Sequence, residues 1–218
     1  MLTQKNLWQL VIGNKNYSSW SMRPWLVLSG FGIEFEEIRI PLTQPDTDAQ
    51  IARYSQAGHV PVLVHNDLHI WDSLAICEYL AEQFPHKNMW PHDSNARAIV
   101  RSMCVEMHSG FTAIRSAMSM DIQAHFPGKG HTPEALTDVA RISAMWSACL
   151  AEFGGNRFLF GEFSIADAFF APVVLRFNTY EPQLSADIMA YCARVMAHPA
   201  VTRWVNEALL ETEVCVFA

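Results

Sequence analysis

Apolar and polar positions follow two different rhythms along this chain. Up to residue 85, short apolar runs are separated by turn residues. Residues 7–13 are predominantly apolar and predict a buried strand. Residues 20–29 predict a helix, closed by Gly30 and Gly32. Pro24 has no N–H and fits best in a first turn, so that helix is expected to begin near Ser21, with Ser18 and Ser19 in the turn before it. Residues 34–40 predict a second strand, stopped by Pro41, and residues 49–54 a short helix. Residues 62–65 and 69–71 predict a hairpin turning at Asn66-Asp67. Residues 73–84 place Leu74, Ile76, Cys77, Leu80, Ala81 and Phe84 on one helical stripe, and Pro85 ends it. The order β-α-β-α-β-β-α predicts a small mixed sheet in an α/β layer.

Beyond residue 85 only helical periods remain. Residues 86–93 are polar, hold Pro91 and read as a linker. Helices are predicted over residues 94–119, 133–153, 164–177, 184–197 and 199–211. Ser164-Ile165-Ala166-Asp167 is a variant capping box ahead of the most apolar of them. An α/β domain over residues 1–85 and an all-α domain over residues 94–218 are therefore expected.

Composition narrows the function. Half of the 218 residues are hydrophobic, enough for a core in one or two domains, and a charged fraction of 17% argues against disorder. The net charge of −7, without any basic run, disfavours nucleic acid as a partner. Cys77, Cys104, Cys149, Cys192 and Cys215 form no C-x-x-C pair and read as reduced, mostly buried thiols of a cytosolic protein. His65 and His69 are four apart but lie in strand-like sequence around a turn, so no metal site is expected. Residues 1–6 lack the apolar segment of a signal peptide, and no apolar run reaches the ~18 residues of a membrane span. A soluble cytoplasmic protein without a membrane partner is the expectation.

Three spots carry candidate chemistry. Tyr17-Ser18-Ser19-Trp20-Ser21-Met22-Arg23-Pro24 lies between the first strand and the first helix. Unpaired N–H groups and the positive dipole end favour an anion there, and a serine can add a donated hydrogen bond. Plain N-capping is the competing reading. Val60-Pro61 precedes a strand; if the bond is cis, the backbone of Val60 is open to a peptide-like ligand. Asp72-Ser73 starts a helix, either as a simple cap or as a holder of the ammonium and carboxylate of an α-amino acid end. A thiol at the first spot, a peptide at the second and an α-amino acid end at the third describe glutathione.

With these motifs in this order, the chain resembles the glutathione transferases. Ser18-Ser19-Trp20-Ser21-Met22-Arg23 is similar to the serine motif of the zeta class, and more closely to its bacterial relatives. His59-Val60-Pro61-Val62-Leu63 and Asp72-Ser73-Leu74-Ala75-Ile76 resemble that family's cis-proline and γ-glutamyl motifs, and Ser164-Ile165-Ala166-Asp167 its helical-domain capping box. The resemblance implies a thioredoxin-like N-terminal domain, an all-α C-terminal domain and a homodimer. It implies that Ser18 hydrogen-bonds the glutathione sulfur, that Ser19 and Trp20 line the same pocket, and that Val60, Asp72 and Ser73 hold the peptide. Trp20 stands where the zeta motif has a cysteine, which excludes disulfide exchange at that position.

Glutathione is then a co-substrate added to a small electrophile. The alternatives are cis-trans isomerisation of the maleylacetoacetate type, and a module that binds glutathione or a partner protein without turnover. Met103, Met107, His108, Phe111, Thr112, Arg115 and Met118 recur at helical spacing; core packing and an apolar acceptor pocket both suit that stripe. Arg115 reads either as a contact for an anionic acceptor or as a solvated side chain. Arg23 reads as a source of positive potential or as the partner of a surface carboxylate.

Overall fold

Leu10, Val11 and Ile12 are fully buried, so the strand that holds them, β1 (Trp8–Ile12), sits inside a sheet. A computed structural model describes residues 8–155 and 157–215. Residues 1–6, read above for targeting, and Leu7 of the predicted first strand lie outside the described residues. The first half contains α1 (Ser19–Gly30), β2 (Glu36–Arg39), α2 (Thr47–Ile51), β3 (Val62–His65), β4 (Leu68–Trp71) and α3 (Ser73–Gln83). The strand order is β2-β1-β3-β4, with β1 parallel to β2 and antiparallel to β3, and β4 closing a hairpin on β3. Alternation splits the sheet's apolar side chains between two cores. Leu10, Ile12 and Leu63 join the main core with α1 and α3. Val11, Val62 and Val64 form a smaller one with Ile40 and Ile51.

A short 3₁₀ turn, Pro85–Lys87, leads toward the helical half. Its helices are α4 (Ser94–Ser109), α5 (Thr112–Ala117), α6 (Pro133–Cys149), α7 (Ile165–Tyr180), α8 (Ala186–Ala197) and α9 (Pro199–Ala208). α7 is buried almost all round and packs on α1, α4 and α8, which explains why its sequence is apolar on every face. Among the described residues no helix is long and apolar enough to cross a membrane.

Two predicted elements are corrected. Residues 94–119 are two helices, not one. Gly110 donates its N–H to Glu106 O at 2.8 Å, and Phe111 takes a left-handed φ of 52°, so the chain turns before α5. A Cβ on Gly110 would stand 2.7 Å from that carbonyl, which is why glycine occupies the break. α1 begins at Ser19 rather than near Ser21, because Ser18 Oγ accepts the Ser21 N–H at 3.3 Å and makes Ser18 the N-cap. Pro24 is then inside the helix, and its missing N–H leaves the Trp20 carbonyl without its helical donor.

Candidate active site

β3 runs antiparallel to both neighbours, so its start lies beside the ends of β1 and β4. A cleft of about 760 Å³ opens at that edge, and Ser18, Ser19, Trp20, Val60, Asp72 and Ser73 all line it. The three sequence motifs, up to 55 residues apart in the chain, are therefore neighbours in space.

The turn from β1 to α1 is tightly fixed. Asn14 O accepts the N–H groups of Tyr17 and Ser18, and Asn14 Oδ1 accepts that of Leu42 at 2.7 Å. The helical half grips the same turn. Lys15, itself buried, carries its Nζ between Glu37 and Glu207, and Trp204 Nε1 donates to Lys15 O at 3.0 Å. Glu211 accepts the N–H groups of Lys15 and Asn16. Ser18 is 7% exposed; its Oγ caps α1 and donates to Ser21 Oγ at 2.7 Å. Ser19 Oγ accepts from Arg176 Nη2 at 3.2 Å.

Asp72 sits at φ 75°, and its two oxygens are already employed. Oδ1 caps α3 through Leu74 N at 2.8 Å and Ala75 N at 3.4 Å. Oδ2 lies 3.0 Å from His108 Nε2, which links the sheet to the last turn of α4. The capping contacts of Asp72 are present, and its second oxygen faces His108. Burial lowers the His108 pKa from the ordinary histidine value, and Asp72 opposes that shift. The Val60-Pro61 bond is cis.

Arginine supplies the main departure from expectation. Arg23 is 1% exposed and, among the described residues, pairs with no surface carboxylate. Its guanidinium stacks 4.2 Å from the Trp20 ring centre, and its Nη1 donates to Ser73 Oγ at 3.4 Å. Arg115 lies 4.8 Å from the same ring and donates to the carbonyls of Met107 and His108, so it is not simply solvated. Arg176, 5% exposed, donates to Met118 O at 2.8 Å. None of the three forms an ion pair among the described residues. The Nε groups of Arg23 and Arg176 are buried without a partner there. Burial, together with repulsion from Arg115, lowers Arg23 to about 9 and Arg176 to about 10. Sequence reasoning passed over Arg176 altogether. Its signal was a lone cation within the apolar stretch of α7, which a folded core tolerates only for a reason. Met103, Met107 and Met118 are buried in the core.

The protein's own thiols are poor nucleophiles. All five cysteines are free. Burial pushes Cys149 up to about 11 and Cys192 to about 12, and it raises Cys77 and Cys104 further. His65 bonds Tyr79 and His69 bonds the Tyr54 carbonyl, so the pair does not converge. Among the described residues no group of three or more His, Cys, Asp or Glu side chains is placed to hold a metal ion.

Residues 17–83 match the family description Glutathione S-transferase, N-terminal domain, and residues 129–207 match Glutathione S-transferase, C-terminal domain. The chain belongs to the glutathione S-transferase family. Glutathione S-transferase 1 of Dianthus caryophyllus is 37% identical over 81 residues, which cover 37% of this chain and 36% of that relative. Maleylacetoacetate isomerase of Rattus norvegicus is 28% identical over 199 residues, covering 89% of this transferase-family chain and 84% of the rat protein. A Burkholderia glutathione transferase homolog, solved with bound glutathione, superposes with a TM-score of 0.70 at 24% identity, over 93% of this chain and 98% of that one. That last likeness is one of fold.

Proposed function

We propose that this family member ionises the thiol of bound glutathione at Ser18 and conjugates it to small electrophiles. The observation that carries the reading is the position of Ser18. It caps a helix whose dipole favours an anion, in the one cleft that also holds Val60, Asp72 and Ser73. The protein thiols are held in their neutral form, so the nucleophile comes from the ligand. A free thiol has a pKa of about 8.5, and lowering it by about two units takes roughly 2.7 kcal/mol. A hydrogen bond donated to a charged sulfur contributes roughly 1.5–3 kcal/mol, and the helix end about 0.3–1 kcal/mol. Ser18 and α1 together reach that sum without a catalytic base. The thiol proton leaves to solvent, the sulfur lone pair forms the new bond to carbon, and a leaving group such as chloride departs with its electron pair.

In this reading residues 1–85 hold the glutathione, with Ser19, Trp20, Val60, Asp72 and Ser73 as contacts. Residues 86–93 connect to a helical domain, residues 94–218, that holds the acceptor. A homodimer is part of the reading; apolar Leu68 and Trp71 on β4, and Ile99 and Val105 on α4, are exposed and available for it. The test follows thiolate absorbance against pH in the glutathione complex, for wild type and Ser18→Ala. Equal thiolate pKa values in the two proteins remove Ser18 from the mechanism. Tight glutathione binding without turnover of any electrophile in a panel identifies a binding module instead.

A second reading is favoured by Arg115 and Arg176. A half-buried Arg115 and a buried Arg176, neither ion-paired among the described residues, suit an acceptor that is itself a carboxylate, as in isomerisation of an unsaturated diacid. There the sulfur adds to the double bond, the carbon–carbon bond rotates and the sulfur is expelled, with glutathione recovered. Product analysis with maleylacetoacetate beside a chloro-aromatic substrate separates the two. Arg176 also holds Ser19, so Arg176→Ala should slow both reactions, but turnover of the diacid should fall at least tenfold more than that of the chloro-aromatic, since a charged hydrogen bond is worth roughly 1.5–3 kcal/mol.

A further inference from the structure

We propose that Ser21 is a positioning residue: it is the middle link of a hydroxyl chain that aims the Ser18 O–H at the sulfur of bound glutathione. This rests on the role given to Ser18 above. Ser21 is fully buried in the first turn of α1 and touches no ligand space directly. Ser18 and Ser21 are joined twice. The Ser21 N–H donates to Ser18 Oγ at 3.3 Å, and Ser18 Oγ donates to Ser21 Oγ at 2.7 Å. Ser21 Oγ also accepts the Gly13 N–H, from the residue just after β1, at 3.1 Å.

Ser21 occupies the third helical position, where a capping box would place Glu or Gln reaching back to the cap's own N–H. That N–H is already bonded to Asn14 O at 2.8 Å. The serine reaches past it to the end of the strand. Its hydroxyl is therefore fixed by backbone on one side and by Ser18 on the other.

In the arrangement described, the Ser18 proton points away from the cleft, at Ser21. A bound thiolate draws that proton toward sulfur. Ser21 O–H then rotates to donate to Ser18 Oγ, while Gly13 N–H stays on Ser21 Oγ. Every donor in the row Gly13, Ser21, Ser18 now points at the anion, and each bond polarises the next. No bond between heavy atoms changes, and no proton moves along the chain; only two hydroxyl hydrogens turn. The charged groups around the site are Arg23 on α1, His108 on α4, Arg115 on α5, Arg176 on α7 and Asp72 at the cap of α3. None is altered by a change at Ser21, so the experiment reads the hydroxyls.

The test is the thiolate pKa of bound glutathione in wild type, Ser21→Ala, Ser18→Ala and the double variant. A polarising neighbour strengthens a hydrogen bond by roughly 10–30%, so Ser21→Ala should raise the thiolate pKa by about 0.5 unit, roughly threefold in the ionisation constant. In the Ser18→Ala background the same substitution should add nothing, because Ser21 acts only through Ser18. Should Ser21→Ala fold poorly with the Gly13 N–H left unpaired, Ser21→Cys keeps a weak acceptor for that N–H and a poor donor for Ser18, and should move the pKa the same way. A wild-type or lower thiolate pKa in the Ser21 variants, with a raised one in Ser18→Ala, overturns the relay and leaves the Ser18 reading standing. An equal rise in both backgrounds also overturns it. An unchanged pKa in Ser18→Ala removes the Ser18 reading and the relay with it.

Discussion

Replacing Asp167 at the start of α7 should give a stability effect that depends on pH in a defined direction. Asp167 is fully buried and accepts four hydrogen bonds: Leu159 N at 3.2 Å and Tyr191 Oη at 3.0 Å on Oδ1, and Ser164 N at 2.9 Å and Ser164 Oγ at 3.0 Å on Oδ2. Burial nonetheless outweighs those bonds and raises its pKa to about 6. In the unfolded chain the value is about 3.9, so between these limits the native state binds a proton that the unfolded state has lost. Stability from this residue is therefore complete below about pH 4 and declines by about 3 kcal/mol as pH rises through 6. The extra proton has a place, since the Ser164 hydroxyl can turn from donor to acceptor. Asp167→Asn removes the titration but sets an amide NH₂ against either Leu159 N–H or Ser164 N–H, a mismatch costing roughly 1–3 kcal/mol. The asparagine variant should be less stable than wild type at pH 4 and about equal to it at pH 7. Asp167→Ala should be at least ~3 kcal/mol less stable at pH 7, because two backbone N–H groups and the Tyr191 hydroxyl lose their acceptor, and its deficit should be about 3 kcal/mol larger at pH 4. Urea unfolding at a series of pH values reads all three. A deficit of Asp167→Asn that widens from pH 4 to pH 7 would show an ionised, stabilising carboxylate and refute the reasoning. Because α7 packs on α1, the same variants should weaken glutathione binding in proportion to lost stability.

Other expectations test the supports of the site. Lys15→Met leaves Glu37 and Glu207 facing each other without their shared cation; both are partly exposed, so the cost should be about 2 kcal/mol rather than the roughly 3–5 of a fully buried pair. The same change loosens the turn that presents Ser18, and the KM for glutathione should rise more than kcat falls. Gly110→Ala drives a Cβ to 2.7 Å from the Glu106 carbonyl and should cost about 1–3 kcal/mol in denaturant unfolding; an unchanged midpoint would contradict the break seen there. Thiol-blocking reagents at pH 8 should label the native protein slowly at every cysteine, Cys192 first, and all five at once on unfolding.

Local chemistry was enough to place much of this fold. Pro85, Pro133 and Pro199 mark element limits in sequence and in structure, because a residue without an N–H fits most easily at the first position of a helix. The hairpin at Asn66-Asp67 and the capping box at Ser164 were legible for a like reason. Where the reading failed, a tertiary contact had prevailed. Pro24 argued for a late start to α1, but Ser18 caps the helix and the surrounding core holds the proline inside it. The break at Gly110 was hidden within an unbroken apolar period; the Ile114 N–H finds Asp138 on α6, a partner 24 positions away.

The sequence placed three motifs at strand ends of one small sheet, the family resemblance named six of their residues, and those six line one cleft. What the sequence could not supply was the second half of the site. His108 and Arg176 approach Asp72 and Ser19 from helices more than 30 positions distant. Their pairing depends on how α4 and α7 pack against α1 and α3, and packing is decided by the shape of whole side chains rather than by any local pattern. Equally, only the folded chain shows that Arg23 is buried with no carboxylate partner among the described residues, because charge balance is a property of neighbours in space.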